Sequence, residues 1–459
     1  MNSPISPLDG RYYNQVSGIA EHLSETSLNA ARVRVEIQWL QQLVNSGTFE
    51  VKALSASEAS ALKKIAATFT DEDAAELAEI EATTKHDVKA VEYLIRRRLD
   101  TAGLSRLNEL VHFACTSEDI NNLSYAITVK VAVENIWLPA LDRVIEIIDE
   151  YAVNYRDQAM LSRTHGQPAT PTTLGKEFAV FAFRLRGIRN EIRSHKYLGK
   201  FSGATGTFSA HLAAAQNTDW PALSRALVES LGLQWNPLTT QIESHDWQVS
   251  LFYKIAHANG VLHNLATDIW TYISLGYFRQ IPVPGATGSS TMPHKINPIK
   301  FENSEANLEI STGLLHTLAT SLVTSRLQRD LTDSTTQRNI GVAIAHSLLA
   351  LENLAGGLEQ LDVAGEVMLQ DLDENWEVLA EPIQTVIRAA VAEGKSSISD
   401  PYALLKDLTR GKRLTREDFA RFIDTLDIPD DRKESLKALT PETYTGLASE
   451  LIVYLRHFK

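Results

Sequence analysis

Small, hydroxylated and charged residues crowd together between Gly285 and Glu302, in the run GATGSSTMPHKINPIKFE. Gly285 and Gly288, with Pro282, Pro284, Pro293 and Pro298, forbid regular structure and predict a loop able to move. Serine, lysine, asparagine and histidine ahead of a helix N-terminus make an anion seat, because free N–H groups and the helix dipole point at it. Composition alone leaves an ordinary helix-to-helix connection equally open. Two histidines stand elsewhere. His165 in THGQPAT could donate a proton near neutral pH, although a lone histidine is more often structural. His86 in TTKHDV lies between Lys85 and Asp87, and reads either as a substrate-facing group or as a His-Asp pair at a helix start. A phosphate would be met best by guanidinium forks, although any single arginine alone would read as a surface ion pair.

The elements that must position these residues are helices. From Trp247 to Leu275, apolar residues recur at Phe252, Ile255, Ala258, Leu262, Leu265, Ile269 and Tyr272 in steps of three and four. Similar patterns run from Leu123 to Tyr155, Leu174 to His195, Phe301 to Leu322 and Gly341 to Leu361. Several long one-sided stripes predict a bundle that buries further surface against copies of itself. The part before about Asn108 reads as shorter helices. After about Leu361 the helices shorten again, broken at Ser396 to Pro401 and at Ile428 and Pro429. The expected organisation is therefore all-α in three helical domains: 1–110, a central long-helix bundle 111–362 carrying the loop 285–302, and 363–459.

Composition bounds the rest. With 459 residues, 44% of them apolar, the chain can bury a large core without staples. Its single cysteine, Cys115, excludes an internal disulfide and fits a reducing compartment, so the cytoplasm is expected. The start, MNSPISPLDGRYY, lacks the basic and apolar runs of a signal peptide, and no later stretch is expected to span a bilayer. A formal charge of -13 disfavours nucleic acid and anionic membranes, so an anionic ligand must meet a local cluster of cations. Walker A, HExxH, CxxC and GxSxG motifs are absent, and His257 and His263 are too poorly spaced to suggest a metal. The GATG run from Gly203 to Gly206 is too short for a nucleotide cradle.

The segment GSSTMPHKINPIKFE is similar, at every fixed position, to the signature GSSxMPxKxNxxxxE of the fumarase, aspartase and argininosuccinate lyase superfamily. Other segments resemble the branch of that superfamily that releases fumarate from succinylated purine nucleotides. They are DGRY at Asp9 to Tyr12, TTKHDVKAVEY at Thr83 to Tyr93, HFACTSEDINN at His112 to Asn122, SRTHGQPATP at Ser162 to Pro171, TTQIESHD at Thr239 to Asp246, and SRLQRDLTDSTTQR at Ser325 to Arg338. The resemblance covers nearly the whole chain and is least diagnostic after residue 362.

What the resemblance implies is a β-elimination. Ser289, the first serine of the loop pair, is the implied general base, and His165 the implied general acid; Glu302 is the candidate acidic partner, the other reading being a glutamate that caps its helix or faces solvent. Lys295 and Asn297 would hold the carboxylate of the carbanionic intermediate, and Thr116 and Ser117 the fumaryl portion. Lys85, His86, Asp87, Gln241 and Asn303 would contact substrate, and Arg11, Tyr12, Arg329, Ser334 and Arg338 the nucleotide and its phosphate. The resemblance also implies a homotetramer whose sites draw residues from three subunits, with no cofactor and no metal. Relatives lacking a phosphate-bearing substrate have no need of the arginine set. A non-catalytic relative would have lost the acid, the base or the anion ligands, and none is missing here.

Overall fold

The computed structural model describes residues 4–282, 285, 292, 294–409 and 414–458. Helices dominate it. The chain opens with α1 (Tyr13–Leu23), α2 (Glu25–Ser46), α3 (Ala56–Ala67), α4 (Asp71–Thr84) and α5 (Asp87–Thr101). Then come α6 (Ser117–Ala132), α7 (Leu138–Asn154), α8 (Leu174–Arg193), α9 (Ser209–Ala214) and α10 (Trp220–Ser230). After them run α11 (Asp246–Ser274), α12 (Ile299–Leu322), α13 (Thr332–Gln337) and α14 (Ile340–Leu358). Six short helices follow, from α15 (Gly365–Asp373) to α20 (Ala448–Leu451). Among the described residues strands form only three pairs, the largest being the antiparallel hairpin of β1 (Ala159–Thr164) and β2 (Gln167–Thr173). The fold is all-α.

The five long stripes are helices, with ends displaced by a few residues. The stripe expected from Leu123 starts earlier, because Thr116 caps α6 at its true beginning and the TSEDINN residues continue inward. It reaches α7 through a π-turn at Val133–Trp137. That turn places the buried Trp137 Nε1 2.8 Å from Ser347 Oγ on α14, which donates to Asn259 Oδ1 on α11. Asn259 Nδ2 in turn reaches Ser311 Oγ on α12 at 3.0 Å. A buried polar chain thus fixes the register of four helices, each group satisfied by the next.

Two expectations need correction. The early helices are not all short: α2 runs 22 residues, and Arg32 and Glu36 are buried among its apolar residues, which blurs the stripe. Moreover, one stretch among the described residues, Thr332–Leu358, is long and apolar enough to cross a membrane. Its apolar window is 72% buried inside the protein, as befits a core helix that is apolar on several sides.

By proximity of Cα atoms the chain divides into two compact units, one of residues 1–141, 188–260 and 306–352, the other of 142–187, 261–305 and 353–459. In the first, Val33, Ile37, Leu40, Leu62, Leu77, Val91 and Leu94 form a core among α2 to α5. In the second, Trp376, Ile383, Ile387, Phe419 and Ile423 gather the C-terminal helices.

Candidate active site

The first unit assembles most of the residues expected to bind substrate. Lys85 ends α4 in the left-handed conformation, φ 55°, which turns the chain directly into the next helix. His86 caps α5, its Nδ1 accepting from Lys89 N at 3.2 Å. An accepting Nδ1 puts the proton of the neutral ring on Nε2, which lies 3.5 Å from Ser117 Oγ. The His-Asp pair thus stands at a helix start, with the ring beside Ser117. Asp87 accepts from Arg32 at 2.8 Å, from Arg338 at 3.4 Å and from Val88 N at 2.8 Å. Burial alone would raise its pKa, but Arg32, the Val88 N–H and Arg338 outweigh it and hold the carboxyl below its usual range.

Across α6 lies the second cluster. Thr116 N donates to Asp119 Oδ2 at 2.9 Å, which seats Thr116 and Ser117 at the helix start. Glu118, 2% exposed, pairs with Arg329 at 3.0 Å and accepts from Asn121 Nδ2 at 2.8 Å. Arg329 also donates to Gln241 Oε1 at 3.3 Å, and Gln241 Nε2 donates to Ala204 O at 3.0 Å. Burial pushes the carboxyls of Glu118 and Asp333 up, against the pull of Arg329, and pushes the buried imidazole of His245 down. Arg338 donates to Ser334 Oγ at 2.9 Å as well as to Asp87, and with Asp9 and Tyr13 it lines a cavity of about 120 Å³. Arg11 is exposed at the start of α1, its guanidinium 5.8 Å from the Tyr12 ring.

Several groups in this cluster were not singled out from sequence. Lys200 and Asp119 form an ion pair at 2.8 Å with both side chains fully buried. Asp119 also accepts from Ser202 N at 2.8 Å and Gly203 N at 3.0 Å, so the pair clamps the Gly203–Gly206 turn to the start of α6. Glu118, Asp119 and Asn121 stand inside the quoted TSEDINN run, beside the threonine and serine that drew attention. Arg32 and Lys200 carry no motif at all, and only burial reveals them.

The second unit holds the expected acid. His165 and Gly166, with φ of 53° and 73°, form the two-residue turn of the β1/β2 hairpin, where Thr164 pairs with Gln167. Two successive positive φ angles suit the right-handed strand twist, and Gly166 takes its own without strain. The turn leaves the imidazole exposed. Glu302, in the first turn of α12, is exposed and accepts from Trp270 Nε1 at 3.2 Å; among the described residues His165 has no hydrogen bond to it. Lys295 is exposed and Asn297 half-buried just ahead of α12, and Asn303 follows in its first turn. Ser289 lies outside the described residues.

Backbone strain marks the same segments. Of seven non-glycine residues with positive φ among the described residues, Lys85, His112, Ala114, His165, His245 and Leu327 fall in segments already singled out. Such conformations cost energy and persist where surrounding structure enforces them, which is common at functional sites.

Known proteins resemble this chain over nearly its whole length. Residues 10–309 match the family described as Lyase, and residues 325–445 the one described as Adenylosuccinate lyase C-terminal. The adenylosuccinate lyase of Escherichia coli (strain K12) is 47% identical over 454 residues, covering 98% of each chain. The chain belongs to the adenylosuccinate lyase family. The Haemophilus influenzae family member is 46% identical over 450 residues, 98% of this chain and 97% of its own. Among solved structures, the 3-carboxy-cis,cis-muconate lactonizing enzyme of Pseudomonas putida superposes with a TM-score of 0.77 at 21% identity, covering 99% of each chain. At that identity the likeness speaks for the fold alone.

Proposed function

We propose that the chain eliminates fumarate from adenylosuccinate, leaving AMP, and from succinylaminoimidazole carboxamide ribotide, leaving AICAR. It is a carbon–nitrogen lyase of purine nucleotide biosynthesis. The full-length identity to adenylosuccinate lyases carries this reading, and the guanidinium groups of Arg329 and Arg338 beside His86, Ser117 and Gln241 support it.

In the mechanism, Ser289 removes a proton from the carbon next to a carboxylate of the succinyl group. The electron pair moves onto that carboxylate, where Lys295, Asn297, Thr116 and Ser117 stabilise the added charge. Collapse forms the carbon–carbon double bond of fumarate and breaks the carbon–nitrogen bond. His165 gives the departing nitrogen its proton, with Glu302 as the candidate acidic partner. Lys85, His86, Asp87, Gln241 and Asn303 orient the substrate, while Arg11, Tyr12, Arg329, Ser334 and Arg338 hold the nucleotide end. No cofactor and no metal enters.

His165 lies on an exposed turn of the second unit and the proposed phosphate ligands lie in the first. This suits a homotetramer in which each site is completed by three subunits. The free thiol of Cys115 suits the reducing cytoplasm, where we place the enzyme.

Ultraviolet absorbance of fumarate release from adenylosuccinate tests the function, with argininosuccinate, malate and aspartate as controls. No turnover of adenylosuccinate would overturn it. His165→Ala is expected to lose about 10²- to 10⁴-fold in kcat. Mixing it with Ser289→Ala and allowing subunits to exchange is expected to restore part of the activity. Proven exchange without recovery would rule out the shared site.

A further inference from the structure

Arg32 differs from the other arginines around the substrate cluster. It sits on α2, outside the short motif segments quoted from the sequence, and is 1% exposed. Each arm of its guanidinium meets a different protein acceptor: Nε reaches Asn121 Oδ1 at 2.9 Å, one terminal nitrogen Asn29 Oδ1 at 2.7 Å, and the other Asp87 Oδ2 at 2.8 Å. Three of its five N–H groups, one on each nitrogen, are thus committed to protein acceptors. Asn121 passes the connection on, since its Nδ2 donates to Glu118, which pairs with Arg329. One planar cation therefore ties the His86–Asp87 turn to the pair that presents Arg329, a job a point charge cannot do.

We propose that Arg32 is a positioning residue for the elimination: its buried guanidinium fixes Asp87, and with it the neighbouring His86 ring, relative to the Glu118–Arg329 pair. The inference rests on the fumarate-releasing reading of the site. The charged groups facing Asp87 are Arg32 from α2, Arg338 from beyond α13 and His86 beside it at 3.7 Å, and Arg338 is itself 3.7 Å from Glu25. Arg32 makes the shortest of these contacts, and its charge holds the Asp87 carboxyl down against burial.

The test compares Arg32→Gln, Arg32→Lys, Asp87→Asn and the Arg32→Gln/Asp87→Asn double variant, using kcat, KM and the pH profile of fumarate release. Arg32→Gln is expected to lower kcat on the order of 10- to 100-fold, the cost of misplacing a group by about an ångström. It should also move the acid limb of kcat/KM up by roughly one pH unit, as Asp87 loses its nearest cation. Arg32→Lys keeps the charge, so the limb returns while kcat stays low. In the Asp87→Asn background Arg32→Gln should no longer shift the limb and should cost much less in kcat. Folded Arg32→Gln with an unmoved acid limb, or equal losses in both backgrounds, overturns the proposal. Should Arg32→Gln fail to fold, Arg32→Lys decides, and wild-type kcat there overturns it. Wild-type activity in Asp87→Asn would instead remove Asp87 from the site, and the positioning role with it.

Discussion

Replacing Lys200 by methionine tests how the start of α6 is held. The change keeps most of the unbranched side chain and removes the charge opposite Asp119, whose carboxylate is fully buried 2.8 Å from Lys200 Nζ. Removing one partner of a buried pair costs about 3–5 kcal/mol, because the other charge is left in a poorly polarisable interior. Here the carboxylate keeps three N–H donors, from Thr116, Ser202 and Gly203. The lower end, about 3 kcal/mol, is therefore expected, roughly a hundredfold in the folding equilibrium. Lys200 also donates to Gly203 O at 3.2 Å, so its loss frees the Gly203–Gly206 turn, from which Ala204 holds Gln241. KM for adenylosuccinate should rise with the loss of stability. Urea unfolding followed by circular dichroism, at one protein concentration and compared through the midpoint at constant m, measures the first. Adding Asp119→Asn should recover most of it, since a neutral pair carries no stranded charge. A loss below about 1 kcal/mol in Lys200→Met, or no recovery in the double variant, would refute the reasoning.

Gly206→Ala should raise KM and destabilise, because a Cβ there would lie 2.2 Å from Thr239 O at a φ of +78°; steady-state kinetics and thermal unfolding check it. His195 is half-buried beside Tyr197 and Trp247, and desolvation, with Lys254, lowers its pKa to about 4. The unfolded chain takes up that proton first, so this contribution is complete above about pH 6.5 and falls as pH drops toward about 4. Urea midpoints across that window should decline less steeply in His195→Phe than in wild type. Glu118→Gln removes the carboxylate that competes for Arg329, and inorganic phosphate should inhibit the variant on the order of tenfold more tightly. An unchanged inhibition constant would mean that Arg329 does not meet the phosphate.

The helical architecture was legible because a 3.6-residue apolar period survives wherever a helix buries one face, as along α7 and α11. It failed on α2, where Arg32 and Glu36 are buried with the apolar residues and polarity no longer reports exposure. The loop signature and the histidine segments were legible through resemblance, but their geometry was not. Nothing in a helical reading prepares for His165 on a hairpin turn, although a glycine directly after it is a two-residue turn signal. Lys200 and Arg32 were illegible for another reason. Each works through a partner about eighty or fifty-five positions away, Asp119 and Asp87, and only the folded chain makes those pairs.

On the proposed assignment of Arg329 and Arg338 to the phosphate, a chain with a formal charge of -13 must still hold an anion, and the pairing of charges in the first unit suits both requirements. Arg32, Arg329 and Arg338 are interleaved with Asp87, Glu118 and Asp333. Three guanidinium groups gathered without these carboxylates would repel one another and raise the cost of folding the empty site. With them, Arg329 and Arg338 are oriented before any ligand arrives, and a phosphate gains by exchanging partners rather than by recruiting loose side chains. The exchange favours the ligand most where the displaced carboxylate is costly to keep charged. Glu118 meets that condition, since burial already pushes it toward its neutral form. Asp87 does not, being held charged by Arg32 from behind. The two arginines are thus unequal: Arg329 is the one that can be released to the phosphate, and Arg338 remains tethered beside His86.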